Sequence, residues 1–161
     1  MKTVLWLFVI FLGITFGAGL YESRVVVSQW TTAGDGTAQW DAAAAREDET
    51  GRRFWAFVTT GPLTLLTLIS LVMAWRASGE LRKWWLAAAL TALADRLLTF
   101  AYFIPTMLHL MNAGDSPATR AAAAQWASLD YVRHGLVLVA WLLALKAFPA
   151  MEARKGVVTA G

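Results

Sequence analysis

The sequence predicts an all-α membrane protein, a four-helix transmembrane bundle with both termini on the same side. The 161 residues are 58% hydrophobic and only 16% charged, and nine of them are Trp. Soluble domains carry about 25% charged residues, and membrane proteins place Trp rings at the level of the lipid headgroups. The apolar residues fall into four long runs, which predict one integral membrane domain, 1–161, with transmembrane helices at approximately 3–27, 54–75, 84–110 and 127–148.

The first apolar run fits either an uncleaved helix or a cleaved signal peptide. Lys2 gives it a basic start, and Gly17-Ala18-Gly19 supplies small residues of the kind found at cleavage sites. We favour the uncleaved helix, because a run of about 18 residues reaches the lower limit for spanning a bilayer and Val25–Val27 extend it. Gly13 and Gly17 form a small-xxx-small pair, which lets helices approach closely. A homo-oligomer is left open.

The segments between the runs are polar or basic. Residues 28–53 form the longest connection, and within it residues 39–47 fit a short surface helix. Residues 76–83 form a short turn in which three of eight residues are basic. Ser116 followed by Pro117 predicts a helix N-cap with proline at the first helical position, so the fourth helix would begin at the membrane surface. Pro149 is expected to end that helix.

Charge and composition give the topology and exclude some functions. The density of basic residues in the short turn predicts that both termini are cytoplasmic, in the cell inner (plasma) membrane. The basic residues are scattered without a stripe, so no nucleic-acid partner is expected. The chain has no Cys, which excludes disulfides, thiol redox chemistry and thiolate metal sites.

The third run carries a polar stripe. Ionisable groups in lipid are costly, so this stripe should face the bundle interior. Asp95 lies near mid-depth, whereas Arg96 lies about 100° round the helix and needs its own partner or a route to the headgroups. Steps of three and four residues place on one face Thr91, Asp95, Thr99, Tyr102, Thr106 and His109.

The fourth run has a second set of polar residues. Asp130 and His134 are four residues apart and can therefore form a hydrogen bond on the helix surface. We also expect Arg133 to pair with Glu22, which would bring the first and fourth helices together. Alternating helix direction places in the outer half of the bundle Glu22, Thr60, Tyr102, His109, Asp130, Arg133 and His134. These residues predict a polar pocket open to the outer face, with Trp30, Trp55 and Trp126 around its mouth.

This pocket has two interpretations. The charged residues either form ion pairs that only lock the helices together, or they bind a hydrophobic small molecule or a lipid. A haem would need His109 and His134 at one depth in the membrane. A metal ion would likewise need its ligands at one depth, and the candidates are Glu22, Asp95, Asp130 and His134. The expected depths differ, so no metal or other cofactor is predicted. The partners are then the lipid bilayer and a hydrophobic ligand, for which the binding residues would be Glu22, Trp30, Trp55, Thr60, Asp95, Thr99, His109 and Trp126.

Several short motifs resemble one known family. Gly19-Leu20-Tyr21-Glu22 ends the first run and Phe57-Val58-Thr59 opens the second. Tyr102-Phe103-Ile104-Pro105-Thr106 lies late in the third, and Trp126 with Leu129-Asp130-Tyr131-Val132-Arg133 enters the fourth. In these motifs the chain resembles the small four-helix bacterial membrane proteins of largely unknown function whose family also includes fungal anthrone oxygenases.

The resemblance implies a four-helix membrane fold and, as an alternative function, a cofactor-independent oxygenase of polycyclic phenols. Such enzymes are thought to need neither metal nor flavin. By this resemblance His134 would be the catalytic base, oriented by Asp130. Arg133 and Tyr102 would then stabilise the enolate oxygen.

Overall fold

The computed structural model describes residues 1–34, 37–47 and 51–158, and it confirms the four-helix bundle. Within these residues four apolar helices are long enough to cross a membrane. Large apolar side chains on their outward faces are exposed, as expected for surfaces that contact lipid: Leu65, Leu97 and Val132 are 60%, 61% and 55% exposed. The helices run Lys2–Trp30, Arg53–Arg76, Gly79–Asn112 and Pro117–Ala153, called here the first to fourth spans.

Three of the spans contain a π-helical segment. The first is α1 (Lys2–Tyr21) followed by π-helical Glu22–Val26 and a 3₁₀ turn, Val27–Trp30; the second is π-helical Gly51–Thr60 followed by α3 (Gly61–Arg76). The third is α4 (Gly79–Leu98), π-helical Thr99–Phe103 and α5 (Ile104–Asn112). In the second and third spans a proline opens the α-helix that follows the π segment. Proline cannot donate a backbone hydrogen bond, so the carbonyl four residues before it lacks its α-helical partner. In a π turn that carbonyl can bond to the N–H one residue further along the chain.

The connection between the first two spans is partly ordered: its short helix was predicted within residues 39–47, whereas its hairpin was not. Two short strands, β1 (Thr31–Gly34) and β2 (Thr37–Trp40), pair antiparallel with Thr31 opposite Trp40. Helix α2 (Ala42–Glu47) follows, and the Asp41 carboxylate accepts the backbone N–H groups of residues 43 and 44 at 3.0 and 2.9 Å. The hairpin and α2 lie over one end of an otherwise all-α bundle.

Helix α6 (Pro117–Val158) forms the fourth span and continues beyond it. Its predicted N-cap is confirmed, because the Ser116 hydroxyl accepts the Thr119 backbone N–H at 3.1 Å. The prediction that Pro149 ends this helix is wrong: the residue lies inside it. Proline removes one hydrogen bond but fixes φ near the helical value, and the buried residues on either side, Ala147 and Met151, hold the chain against the bundle.

Apolar side chains form two separate cores. The Trp6 and Phe148 rings are 4.5 Å apart, so the start of the first span and the end of the fourth lie at one end of the bundle, the termini end. The hairpin lies at the opposite end, the hairpin end. The termini core includes Leu5, Phe8, Leu12, Leu63, Trp85, Val137 and Ala140. The hairpin core consists of Val26, Trp30, Trp40, Ala45, Phe103, Leu110 and Trp126.

Candidate functional site

Polar side chains from all four spans meet between the two cores. The Ser23 hydroxyl donates to Asp130 Oδ2 at 2.5 Å and joins the first span to the fourth. The Trp55 indole N–H donates to Glu22 Oε1 at 2.6 Å and joins the second span to the first. We call this group the buried polar cluster; its members are Glu22, Ser23, Trp55, Asp95, Arg96, Asp130, Arg133 and His134.

The third span brings Asp95 to the same level. Near the hairpin end the Trp126 indole donates to the Phe103 carbonyl at 3.2 Å, and near the termini end Lys146 Nζ is 4.7 Å from the Trp84 ring centroid. The segments from Trp84 to Asp95 and from Lys146 back to Gly135 are both α-helical and equally long, so Asp95 lies level with Gly135 and its neighbour His134.

Asp95 and Arg96 form a buried ion pair. Their side chains are 1% and 4% exposed, and Arg96 donates to Asp95 Oδ2 from Nε at 2.9 Å and also from Nη2. Arg96 therefore neither reaches the headgroups nor needs a partner on another helix. Pairing offsets part of the cost of an isolated charge in the membrane interior.

Arg133 pairs with Asp130 on its own helix at 2.8 Å. Its guanidinium also lies over two rings, 4.8 Å from the Phe103 centroid and 5.6 Å from that of Trp55. We had expected Arg133 to pair with Glu22. The structure instead connects the two residues through Trp55, which donates to Glu22 and presents its ring to Arg133.

His134 is buried without a hydrogen-bond partner among the residues that the structure describes. Its side chain is 6% exposed, and neither ring nitrogen is hydrogen-bonded. Nε2 is 3.6 Å from Asp130 Oδ2, so the two groups are neighbours but the predicted hydrogen bond is not formed. The imidazole packs against Gly19, where a Cβ would collide with Nε2 and Cδ2. The Tyr131 ring lies edge-on at 6.2 Å.

Other polar atoms near this level are also unsatisfied. Asp95 Oδ1 and Thr15 Oγ1 are buried without a hydrogen bond, and Asp95 is among the charged groups that act electrostatically on His134. A buried polar atom without a partner costs about 1–3 kcal/mol. Such atoms in a native structure call for an explanation, for which a ligand or a water is the ordinary candidate.

Several residues predicted for the site lie elsewhere. His109 is exposed near the hairpin end, and Trp30 and Trp126 belong to the hairpin core. Tyr102 is half-buried and packs edge-on against Phe103 at 5.2 Å, so it approaches Arg133 only through that ring. His109 and His134 are thus at different levels.

The two predicted threonines bond within their own helices. The Thr99 hydroxyl donates to the Asp95 carbonyl at 2.9 Å, and the Thr60 carbonyl accepts the Thr64 hydroxyl at 2.6 Å. The Thr99 hydroxyl can still accept a hydrogen bond, and the Thr60 bond uses its backbone carbonyl rather than its hydroxyl. Across the described ranges, no group of three or more His, Asp or Glu side chains is placed to hold a metal ion.

Two cavities lie at the hairpin end. A cavity of about 460 Å³ lies between α2 and the 112–115 loop and is lined by residues that include Asp41, Arg46 and Asp115. A second, of about 300 Å³, is mainly apolar and is lined by Val27, Trp40, Leu110, Arg120, Ala123, Ala124, Trp126 and Ala127. The Phe103 ring contacts both Trp126, at 5.8 Å, and Arg133, and so stands between this apolar cavity and the cluster.

Sequence reasoning missed Arg96, Ser23 and Gly19 as members of this region. Arg96 was set aside because adjacent residues on a helix point in different directions, yet its long side chain curls back to Asp95. Ser23 had a usable signal, since it follows Glu22 directly at the end of the first apolar run.

Comparison with known proteins gives no match: no family model, no curated protein and no solved structure is similar to the chain.

Proposed function

We propose that this multi-pass membrane protein binds a hydrophobic small molecule or lipid whose polar group takes a hydrogen bond at His134. The observation that carries the proposal is the buried imidazole with two unpartnered nitrogens, placed beside Asp130 and level with Asp95. Ionisable groups inside a membrane are costly and tend to be functional. A purely structural histidine in this position would be expected to bond a neighbour.

The surrounding side chains suit a ligand that is apolar apart from one polar group. The guanidinium groups of Arg96 and Arg133 are each already paired with a carboxylate, so the cluster does not call for a charged ligand. The apolar cavity beside Trp126 has a volume of about 300 Å³, at the lower end of small-molecule sites.

The second candidate function is a cofactor-independent oxygenase, suggested by the family resemblance. The specific observation in its favour is that His134 lies 3.6 Å from a carboxylate and has no bond that would need to be broken before it accepts a proton. His134 would remove an acidic C–H proton from an anthrone, and Arg133 would stabilise the enolate oxygen. The enolate would reduce O₂ to give a hydroperoxide, which would lose water and leave the quinone carbonyl.

Two histidine variants separate these functions from a structural role. Purified protein in mild detergent is heated with anthrone, or with anthracene, which has the same three rings and no oxygen. We expect anthrone to raise the melting temperature of the wild type and of His109→Leu by several degrees. For His134→Leu, anthrone should raise the melting temperature no more than anthracene does.

The outcome has three arms. Equal stabilisation of His134→Leu and wild type, or no stabilisation of either, contradicts the proposed binding site. Oxygen consumption above the spontaneous rate with wild type and His109→Leu, but not with His134→Leu, supports the oxygenase. Binding without oxygen consumption excludes the oxygenase for this substrate and leaves the binding function.

A further inference from the structure

Two lysine side chains converge on one indole at the termini end of the bundle. Lys83 Nζ at the start of α4 is 4.9 Å from the Trp84 ring centroid, and Lys146 Nζ on α6 is 4.7 Å from the same centroid. Because each ammonium group lies within 5 Å of the same centroid, the two are no more than about 10 Å apart, and a single anion would be attracted by both. Trp84 thus holds together cations from two different spans.

Acidic groups only partly neutralise these cations. Lys83 is 3.7 Å from Glu80, but both side chains are more than 60% exposed, so this pair contributes little. Lys146 makes no ion pair with any carboxylate that the structure describes. Arg82, the residue adjacent to Lys83, lies 4.8 Å from the Trp75 ring and adds to the positive charge at this end.

An exposed apolar face leads away from each lysine toward the middle of the membrane. On α6, steps of four and three residues place Leu142, Val139, Gly135 and Val132 in line with Lys146, and all four are exposed. On α4, steps of seven place Leu90 and Leu97 in line with Lys83, and these are 52% and 61% exposed. From Lys146 to Val132 the helix rises about 21 Å, which exceeds half the thickness of a bilayer core.

We infer that this face binds an anionic phospholipid, with the phosphate between Lys83 and Lys146 and the acyl chains along the exposed apolar faces of α4 and α6. Charge complementarity selects an anionic headgroup over a zwitterionic one, and basic groups between transmembrane helices are a known form of headgroup site. The apolar faces select a lipid over a free phosphate. The site lies at the opposite end of the bundle from the hairpin and is independent of His134.

Native mass spectrometry of protein delipidated in mild detergent tests this inference. The protein is mixed with equal amounts of phosphatidylglycerol and phosphatidylcholine, and the bound lipids are counted. We expect the wild type to retain phosphatidylglycerol several-fold over phosphatidylcholine, and Lys83→Gln/Lys146→Gln to retain the two lipids equally. The matched control is Lys2→Gln/Arg24→Gln, which removes the same charge from other places and should keep the preference.

Further variants separate lipid binding from folding and from binding of phosphate alone. Lys83→Arg/Lys146→Arg keeps both charges and should restore the preference if the double glutamine variant loses it. Each variant is first checked for helical content and melting temperature. The inference is wrong if the wild type shows no preference, if the double glutamine variant keeps it, or if millimolar inorganic phosphate removes it.

Discussion

Replacing Gly19 with alanine tests how closely the first and fourth spans approach at His134. A Cβ at this position would collide with the buried imidazole. Overpacking of a buried site costs about 1–3 kcal/mol. Alanine also favours the helix over glycine by about 0.5–1 kcal/mol. We therefore expect Gly19→Ala to lower the free energy of unfolding by up to about 2.5 kcal/mol.

Gly17 gives a matched control on the same helix. A Cβ there would meet nothing within 4 Å, so Gly17→Ala should leave stability unchanged or raise it by about 0.5–1 kcal/mol. The assay is reversible unfolding in mixed micelles of mild detergent and SDS. Adding His134→Ala to Gly19→Ala should remove the collision, which gives a coupling energy of about 0.5–3 kcal/mol between the two sites. Equal stability of Gly19→Ala and Gly17→Ala would refute the close approach.

Three further predictions concern other parts of the chain. Asp95→Leu should lower the free energy of unfolding by about 3–5 kcal/mol, because it strands the buried Arg96, whereas Asp95→Asn keeps an acceptor and should cost much less; equal losses in the same unfolding assay would count against the pair. The hydrogen bond from Arg120 lowers the pKa of Asp115 below its ordinary value of 3.8. The stabilisation by the Asp115 carboxylate is therefore complete above about pH 4 and is lost only as the pH falls through the lowered pKa. The near-UV circular dichroism should be constant from about pH 8 to 5 and change only in acid. A change near neutral pH would contradict this prediction. Reporters inserted within residues 77–81 should report the cytoplasm and those within 34–45 the exterior, and the opposite pattern would reverse the topology.

The bundle could be predicted from sequence because its signals are strong and local. Four long apolar runs and a Ser-Pro cap are sufficient to define the helices. The hairpin could not be predicted in the same way, since its strands of four residues carry no long alternating pattern. The prediction that Pro149 ends the fourth helix was wrong because the effect of a proline depends on tertiary packing. Buried residues on both sides of Pro149 keep this helix intact.

The candidate site was harder to predict because it depends on the relative register of different helices. The sequence correctly identified Asp95, Asp130 and His134 as inward-facing, since a helical face can be calculated from spacing alone. It placed Asp95 near mid-depth and His134 in the outer half, because the register between two helices does not follow from the spacing within each. It also missed how Arg133 is held, since the Trp55 and Phe103 rings beneath it come from two other spans.

The central claim is that the ring nitrogens of His134 make no hydrogen bond within the protein and bind the polar group of a ligand. Because the chain has two histidines, this claim can be tested directly. Nitrogen-15 labelling of histidine gives ring signals from His109 and His134 alone, and His109→Gln assigns them. The account predicts that, without ligand, the His134 ring nitrogens show no strong hydrogen bond to protein. It also predicts that titration with anthrone shifts these signals with occupancy, while those of His109 do not move. Unchanged His134 signals at saturating anthrone, or a His134 nitrogen already hydrogen-bonded to Asp130, would contradict the claim.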